Sequence, residues 1–120
     1  MELINNKDLQ SKIFTIRGIQ VMLDRDLAEL FNVEVKRLNE QVKRNIDRFP
    51  ENFRFSLIDH EKNELVAICD RFKSLKYSSN NSFAFTEQGV AMLHEKGIFE
   101  NEYIKFMELN GFDDLTLDDD

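Results

Sequence analysis

Five basic residues fall within residues 36–48, a stretch that holds only two acidic ones. Lysine and arginine neutralise phosphates or pair with guanine, and asparagine pairs with adenine. Residues of these types lie off the apolar stripe of a predicted helix and share its outer face: Lys36, Arg37, Asn39, Lys43 and Arg44. Such a face is typical of a surface that binds the phosphates and base edges of a nucleic acid.

The same face carries one acidic residue, Glu40. A carboxylate fits poorly beside phosphates, so Glu40 is either an acceptor for the amino group of cytosine or an ion-pair partner of Arg44, four residues further on. We favour the ion pair. Charged outer faces are common on helices, and by itself the pattern is equally typical of a solvated surface.

A second group of bases lies in residues 71–86, which hold no acid. Together with Arg54 on a predicted strand, these bases predict a wing or loop that grips the DNA backbone. A flexible, solvated loop explains them equally well. Arg48 is either a phosphate ligand or a favourable charge at the end of the preceding helix. The predicted DNA-binding residues are Lys36, Arg37, Asn39, Lys43, Arg44, Arg48, Arg54, Arg71, Lys73 and Lys76.

Residues that could perform catalysis are isolated in the sequence. His60 and His94 have no serine, cysteine or carboxylate partner at a recognisable spacing. Asp24, Asp26 and Glu29 could hold a metal ion, but a helix cap, a first-turn charge and an exposed face explain them better. We therefore expect no enzymatic activity, no catalytic residue, no metal and no cofactor.

The net charge of −7 argues at first against a nucleic-acid partner. However, residues 100–120 contain eight acids and one base, which account for the whole excess, so residues 1–99 are neutral overall. We therefore divide the chain into a DNA-binding domain over residues 1–97 and an acidic, partly disordered tail over residues 98–120.

The chain has 120 residues, the length of one domain, and its 42% hydrophobic content is ordinary for a folded protein. The one cysteine, Cys69, excludes an internal disulfide and a multi-cysteine zinc site, and we expect it to be a buried free thiol. No signal peptide and no apolar run of membrane-spanning length is visible, so we expect a cytoplasmic protein without membrane contact.

The basic helix is predicted to be the second of a pair. Asp24 is expected to cap the first helix, and Asn32 tolerates the left-handed conformation that ends it. The second helix is predicted over residues 34–45, because apolar residues recur three and four positions apart at Val35, Leu38, Val42 and Ile46. Two short helices joined by a tight turn are typical of a helix-turn-helix, whose second helix enters the DNA major groove.

Short strands and further helices surround this pair. A hairpin is predicted at residues 13–22, with Gly18 at positive φ, and a half-buried strand at residues 53–57, with Arg54 and Ser56 facing outward. The predicted fold class is α+β, a small helix-turn-helix or winged-helix-like DNA-binding domain with short β-hairpins.

The second half of the chain is predicted to add two more helices. The third, over residues 59–71, is capped by Asp59 and carries an inner stripe of Leu65, Ile68 and Phe72. A loop or the tip of a hairpin follows over residues 73–82. The remaining elements are a strand at 83–85, a helix at 86–97 capped by Thr86, a weaker helix at 99–107 and a disordered end at 113–120.

Five stretches carry motifs in a characteristic order, at residues 16–18, 21–31, 35–45, 48–53 and 84–93. They resemble the N-terminal DNA-binding domain of phage antirepressors, the ORF-six N-terminal domain family, which is related to the KilA-N domain. The resemblance implies a small α+β DNA-binding fold in phage, prophage or bacterial regulators. It also implies the bacterial cytoplasm as the location, with nucleoid association when bound.

The function that we favour is a sequence-specific regulator that binds double-stranded DNA through helix 34–45. The alternative is an antirepressor-like interaction module, whose acidic tail mimics DNA or docks on a basic regulator protein. A metal-dependent nuclease has the least support. A homodimer on a palindromic site is consistent with a helix-turn-helix of this size.

Overall fold

The computed structural model describes residues 11–77 and 82–95, which form an α+β fold with a four-stranded antiparallel sheet. Its strands are β1 (Ile13–Ile16), β2 (Ile19–Leu23), β3 (Arg54–Ser56) and β4 (Phe83–Thr86). Its helices are α1 (Asp24–Phe31), α2 (Val35–Arg44), α3 (Asp59–Ile68) and α4 (Glu87–Glu95), with 3-10 helices at Ile46–Arg48 and Asp70–Tyr77. The predicted helix at 99–107 and the acidic tail lie outside the described residues.

The hairpin between β1 and β2 turns at Arg17 and Gly18, as the sequence predicts. Both residues have positive φ, 58° and 73°. Positive φ at both central residues is the type I′ geometry, whose twist matches that of the strands it joins. The turn therefore fixes the register that pairs Ile16 with Ile19 and Ile13 with Met22.

The strand order in the sheet is β1-β2-β4-β3. β4 lies between β2 and β3, and it pairs with both although it is the last of these four strands in sequence. β3 and β4 are separated in sequence by α3 and a 3-10 helix, so they are not a hairpin. The sequence predicted several short hairpins. Among the described residues, only β1 and β2 form one.

One face of the sheet is covered by α3 and the 3-10 helix that follows it. Leu23, Ala84 and Phe55 are paired across three strands and therefore share this face. They belong to one buried cluster with Leu65 of α3 and Phe72 of the 3-10 helix.

The opposite face is covered by α1, α2 and α4. Met22, Phe85 and Arg54 are paired in register and share this face. Met22 and Phe85 belong to a second buried cluster, to which these helices contribute residues that include Leu27, Leu38 and Val90. The prediction that Arg54 faces solvent was therefore wrong, because helices cover both faces of the sheet.

The third helix is shorter than predicted. α3 ends at Ile68, and Cys69 takes an extended backbone conformation with φ −142°. Ile68, expected on the inner stripe, is 74% exposed, and Cys69 is half-buried rather than buried. Phe72 still reaches the core because the chain continues as a 3-10 helix, which also replaces the first part of the loop predicted at 73–82.

The start of α3 is capped differently from the prediction. Ile58, not Asp59, is the N-cap residue. Its backbone N–H donates to the Glu61 carboxylate at 2.9 Å, which satisfies one of the donors that a helix start leaves free.

The start of α4 confirms the predicted cap. The Thr86 hydroxyl accepts a hydrogen bond from the Gly89 N–H at 3.3 Å and lies 3.0 Å from the Asn52 carbonyl oxygen, to which it can donate. Gly89 packs against the Phe53 carbonyl so closely that a Cβ atom at residue 89 would overlap it. This contact joins α4 to the segment before β3.

Candidate nucleic-acid interface

The turn between α1 and α2 consists of residues 32–34. Asn32 ends α1 in the left-handed conformation, with φ 58° and ψ 46°, as the sequence predicts. The Val33 N–H donates to the Ala28 carbonyl at 2.9 Å, and Ala28 is 1% exposed. This backbone hydrogen bond folds the turn back onto the last turn of α1.

The apolar stripe of α2 is narrower than predicted. Leu38 and Val42 are completely buried, whereas Val35 is 37% and Ile46 50% exposed. Ile46 lies beyond the end of α2, in the following 3-10 helix. α2 ends at Arg44, and the Asn45 side chain caps it by donating from Nδ2 to the Gln41 carbonyl at 2.9 Å.

The outer face of α2 presents four exposed bases, Lys36, Arg37, Lys43 and Arg44. Within the described part of the chain none of them forms an ion pair. Lys36 and Lys43 are seven residues apart, as are Arg37 and Arg44, which is about two helical turns. Each pair therefore forms a column along the helix, and we call the four residues the basic columns.

Glu40 lies between the two columns and is also exposed. The ion pair expected with Arg44 is absent from the described structure. The preference for that interpretation was therefore wrong, and the carboxylate of Glu40 is left facing solvent.

Asn39 contacts the protein rather than solvent. Its Nδ2 donates to Asp24 Oδ2 at 2.8 Å, and its Oδ1 is buried without a partner among the described residues. Asp24 is 4% exposed. It lies within the first turn of α1, where its Oδ1 accepts a hydrogen bond from the Arg25 N–H at 2.8 Å. The N-cap residue is Leu23 rather than Asp24. Burial raises the pKa of Asp24 above its usual value, although the hydrogen bond from Asn39 acts in the opposite direction. The amide expected to read adenine therefore ties α2 to the start of α1.

Arg54 is half-buried and stacks on aromatic rings. Its guanidinium lies 3.5 Å from the centroid of Phe83 and 5.8 Å from that of Phe85. Burial lowers the pKa of Arg54, and the charge of Asp24 opposes this effect. Its buried Nε has no hydrogen-bond partner in the described part of the structure.

Arg71 pairs with a buried carboxylate. It donates to both oxygens of Asp26, at 2.6 and 3.1 Å, and covers the ring of Phe72 at 4.1 Å. Burial lowers the pKa of Arg71, but the hydrogen bonds and charge of Asp26, together with Cys69, raise it above its usual value. The guanidinium that was expected to grip the DNA backbone is thus paired with a buried carboxylate of the protein, although Arg71 itself is exposed.

The remaining predicted site residues lie apart from these contacts. Arg48 is exposed at the end of the 3-10 helix 46–48 rather than in the last turn of α2. Lys73 is exposed, and its Nζ lies 3.7 Å from Asp70 Oδ1. The side chain of Lys76 lies outside the described part of the structure. The second group of bases therefore does not form one free surface among the described side chains.

A contact that sequence reasoning missed links the hairpin turn to α3. Arg17 donates to both carboxylate oxygens of Glu61, at 2.7 and 3.1 Å, and lies 4.1 Å from the centroid of Phe55. The hydrogen bond from Arg17 lowers the pKa of Glu61. The two residues are 44 positions apart, and no local pattern in the sequence relates them.

The acids considered as metal ligands have other partners. Asp24 accepts a hydrogen bond from Asn39, and Asp26 accepts one from Arg71. Glu29 Oε1 lies 3.5 Å from Lys12 Nζ. Residues 11–77 and 82–95 contain no group of three or more histidine, cysteine or carboxylate side chains placed to hold a metal ion. None of the helices in these ranges has the length and apolar character needed to cross a membrane.

Comparisons with curated proteins and with solved structures returned no significant match. The family model of the ORF6N domain matches residues 11–95, more than half of the chain. All five motifs that carry the resemblance to phage antirepressors lie inside this match. The chain therefore belongs to the ORF6N domain family.

Proposed function

We propose that this protein is a sequence-specific DNA-binding regulator of phage type, with α1 and α2 as a helix-turn-helix and α2 in the major groove. The observation that carries the proposal is the outer face of α2, where the basic columns are exposed and unpaired within the described structure. Two of the other predicted ligands, Arg54 and Arg71, are engaged internally and supply no comparable surface.

The dimensions of α2 suit this role. Ten residues give a helix about 15 Å long, and the major groove, about 12 Å wide, admits one helix. The two basic columns would face the phosphates of opposite strands. Leu38 and Val42 anchor the inner side of the helix, and the bond from Asn39 to Asp24 fixes its position relative to α1.

The proposed contact residues are Lys36, Arg37, Lys43 and Arg44, with Arg48 beside them. We assign Asn39, Arg54 and Arg71 to positioning, because the side chain of each contacts another element of the fold. A winged-helix-like arrangement has less support than the helix-turn-helix, since the strand residue that would grip the backbone, Arg54, packs on Phe83. DNA contact by Lys73 and Lys76 remains a prediction from the sequence.

The proposal also includes the wider role. We infer a binding rather than catalytic protein, acting in the bacterial cytoplasm on double-stranded DNA, with a homodimer matched to a palindromic site. The antirepressor-like alternative, in which the acidic residues 100–120 dock on a basic regulator protein, is supported by their charge alone.

The test replaces Lys43 and Arg44 by Ala. We expect weaker binding to every duplex, and a salt dependence less steep by about 1.8 in log–log slope, because each lost phosphate contact removes about 0.9. Fluorescence anisotropy with labelled duplexes at several salt concentrations measures both effects. The matched control is Asn63→Glu with Ala67→Glu, which makes the same change in net charge at exposed positions of α3, across the sheet.

Binding by the Lys43/Arg44 variant equal to that of the parent would show that α2 is not the DNA face. An equal loss in the α3 control would show that net charge, rather than this face, determines affinity. If the parent captures a basic regulator protein but no duplex, the antirepressor-like alternative would replace the proposal.

A further inference from the structure

Glu40 occupies an unusual position in the charge pattern of α2. A helical residue meets neighbours three and four positions away in each direction. For Glu40 all four of these neighbours are basic, and they are Lys36, Arg37, Lys43 and Arg44. Even so, Glu40 forms no ion pair with any of them. The carboxylate is therefore surrounded by cations and remains open to a further partner.

The position of Glu40 on the helix is opposite the buried stripe. At about 100° per residue, Glu40 lies about 200° from Leu38 in one direction and about 200° from Val42 in the other. Both of those residues are completely buried. Glu40 thus lies at the centre of the outer face, with one basic column on either side.

We propose that Glu40 determines specificity by accepting a hydrogen bond from the N4 amino group of cytosine in the major groove. The inference rests on the proposed function and adds the base that the central position reads. With the basic columns against the phosphates of the two strands, the centre of the outer face is directed to the base edges. The four cations also offset the repulsion between the carboxylate and the phosphates.

The chemistry of the base edges selects cytosine. A carboxylate can only accept hydrogen bonds, and guanine presents acceptors at N7 and O6 while thymine presents one at O4. Adenine offers the N6 amino group, but its N7 acceptor lies beside it and repels a carboxylate. Cytosine alone presents an amino group with no acceptor of its own beside it in this groove.

The experiment first selects bound sequences from a random duplex pool with the full chain. Four duplexes that differ at the selected position are then compared for the parent and for Glu40→Gln and Glu40→Ala. We expect the parent to favour cytosine by about tenfold or more, Glu40→Gln to prefer adenine at the same position, and Glu40→Ala to lose selectivity there alone. The matched control is Glu34→Gln, an equal charge change at another exposed position.

The competing explanation is that Glu40 merely weakens binding to all DNA. In that case Glu40→Gln would raise affinity for the four duplexes by one common factor, and the control Glu34→Gln would do the same. The selected sequence would not change. That result overturns the assignment of Glu40 while the Lys43/Arg44 test still succeeds. If parent binding does not respond to the Lys43/Arg44 change, the proposed function itself fails. Thermal melts of the exposed-site variants should match the parent and confirm an intact fold.

Discussion

Arg71 joins parts of the chain that are 45 residues apart. The side chain of its partner Asp26 is 3% exposed, and the side chain of Arg71 is 36% exposed. Removing one partner of a buried ion pair is costly because the other charge stays buried without compensation. The contribution of Arg71 is therefore structural: it holds the 3-10 helix after α3 against α1.

The first prediction concerns this residue. Arg71→Ala should lower the free energy of unfolding by about 2–3 kcal/mol, less than the roughly 3–5 kcal/mol of a fully buried pair because water reaches Arg71. Urea unfolding measures the loss. Lys73→Ala, in the same 3-10 helix but with a side chain 72% exposed, should change stability little. Equal stability of Arg71→Ala and the parent would show that the ion pair contributes nothing, and would return Arg71 to the candidate DNA ligands.

The basic columns of α2 could be read from sequence because every member lies within one helix. The internal roles of Asn39, Arg54 and Arg71 could not. A polar side chain at the edge of an apolar stripe looks the same whether it meets solvent or a buried carboxylate from another element. Sequence periodicity gives the direction of a side chain but not what lies in that direction.

At the scale of elements, α2 is positioned from its inner side. Leu38 and Val42 are buried in the cluster that also contains Val90 and Leu93 of α4. The helix is short, and short isolated helices are marginal in water, so packing rather than intrinsic propensity supplies its stability.

The second prediction tests this packing. Leu38→Ala should cost roughly 2–5 kcal/mol, because it removes a completely buried side chain and leaves a cavity. Thermal and chemical denaturation measure the loss. Val35→Ala provides the control within the same helix, because Val35 is 37% exposed, and it should cost clearly less. Comparable losses for the two variants would mean that the inner face of α2 is wrongly assigned.

Local signals explain which elements were predicted well. The turn residue Gly18, the helix terminator Asn32 and the cap Thr86 act over a few positions, and each does what its residue type predicts. Two caps were misplaced by one residue, because Leu23 and Ile58 rather than Asp24 and Asp59 are the N-cap residues of α1 and α3. The other errors came from tertiary structure. Alternation at residues 53–57 separates two faces without showing that helices cover both, and the stripe assigned to α3 ran past the point at which the chain becomes extended at Cys69.

At the scale of the whole molecule, opposite charges lie in different parts of the chain. The basic columns are on α2, and residues 100–120 carry a net charge of −7. An anionic segment tethered to the same chain competes with DNA at high effective concentration, and it repels phosphates over a distance that salt limits to about 10 Å at 0.1 M. The sequence predicts this antagonism from charge alone, and the segment lies outside the described residues.

The third prediction follows from this charge separation. A chain ending at Gly97 should bind DNA more tightly than the full chain at low salt and nearly equally at high salt, because screening weakens the competition. A control that keeps all 120 residues should shift affinity in the same direction; it replaces by Asn the residues Asp113, Asp114, Asp118, Asp119 and Asp120. Duplex titrations and thermal melts of all three proteins provide the comparison. Weaker binding together with a lower melting temperature would contradict competition and show that residues 98–120 support the fold.

The difference between the two sides of α2 has a consequence for the evolution of this protein. Its inner side packs in the core, whereas its outer face carries five side chains that form no hydrogen bond or ion pair within the described protein: Lys36, Arg37, Glu40, Lys43 and Arg44. Substitutions at these five positions should therefore escape the usual conflict between new activity and lost stability. Under the proposed function, a lineage could acquire a new operator here by successive point mutations, each leaving a folded protein. A library randomised at the same five codons would give an engineer that freedom in one step.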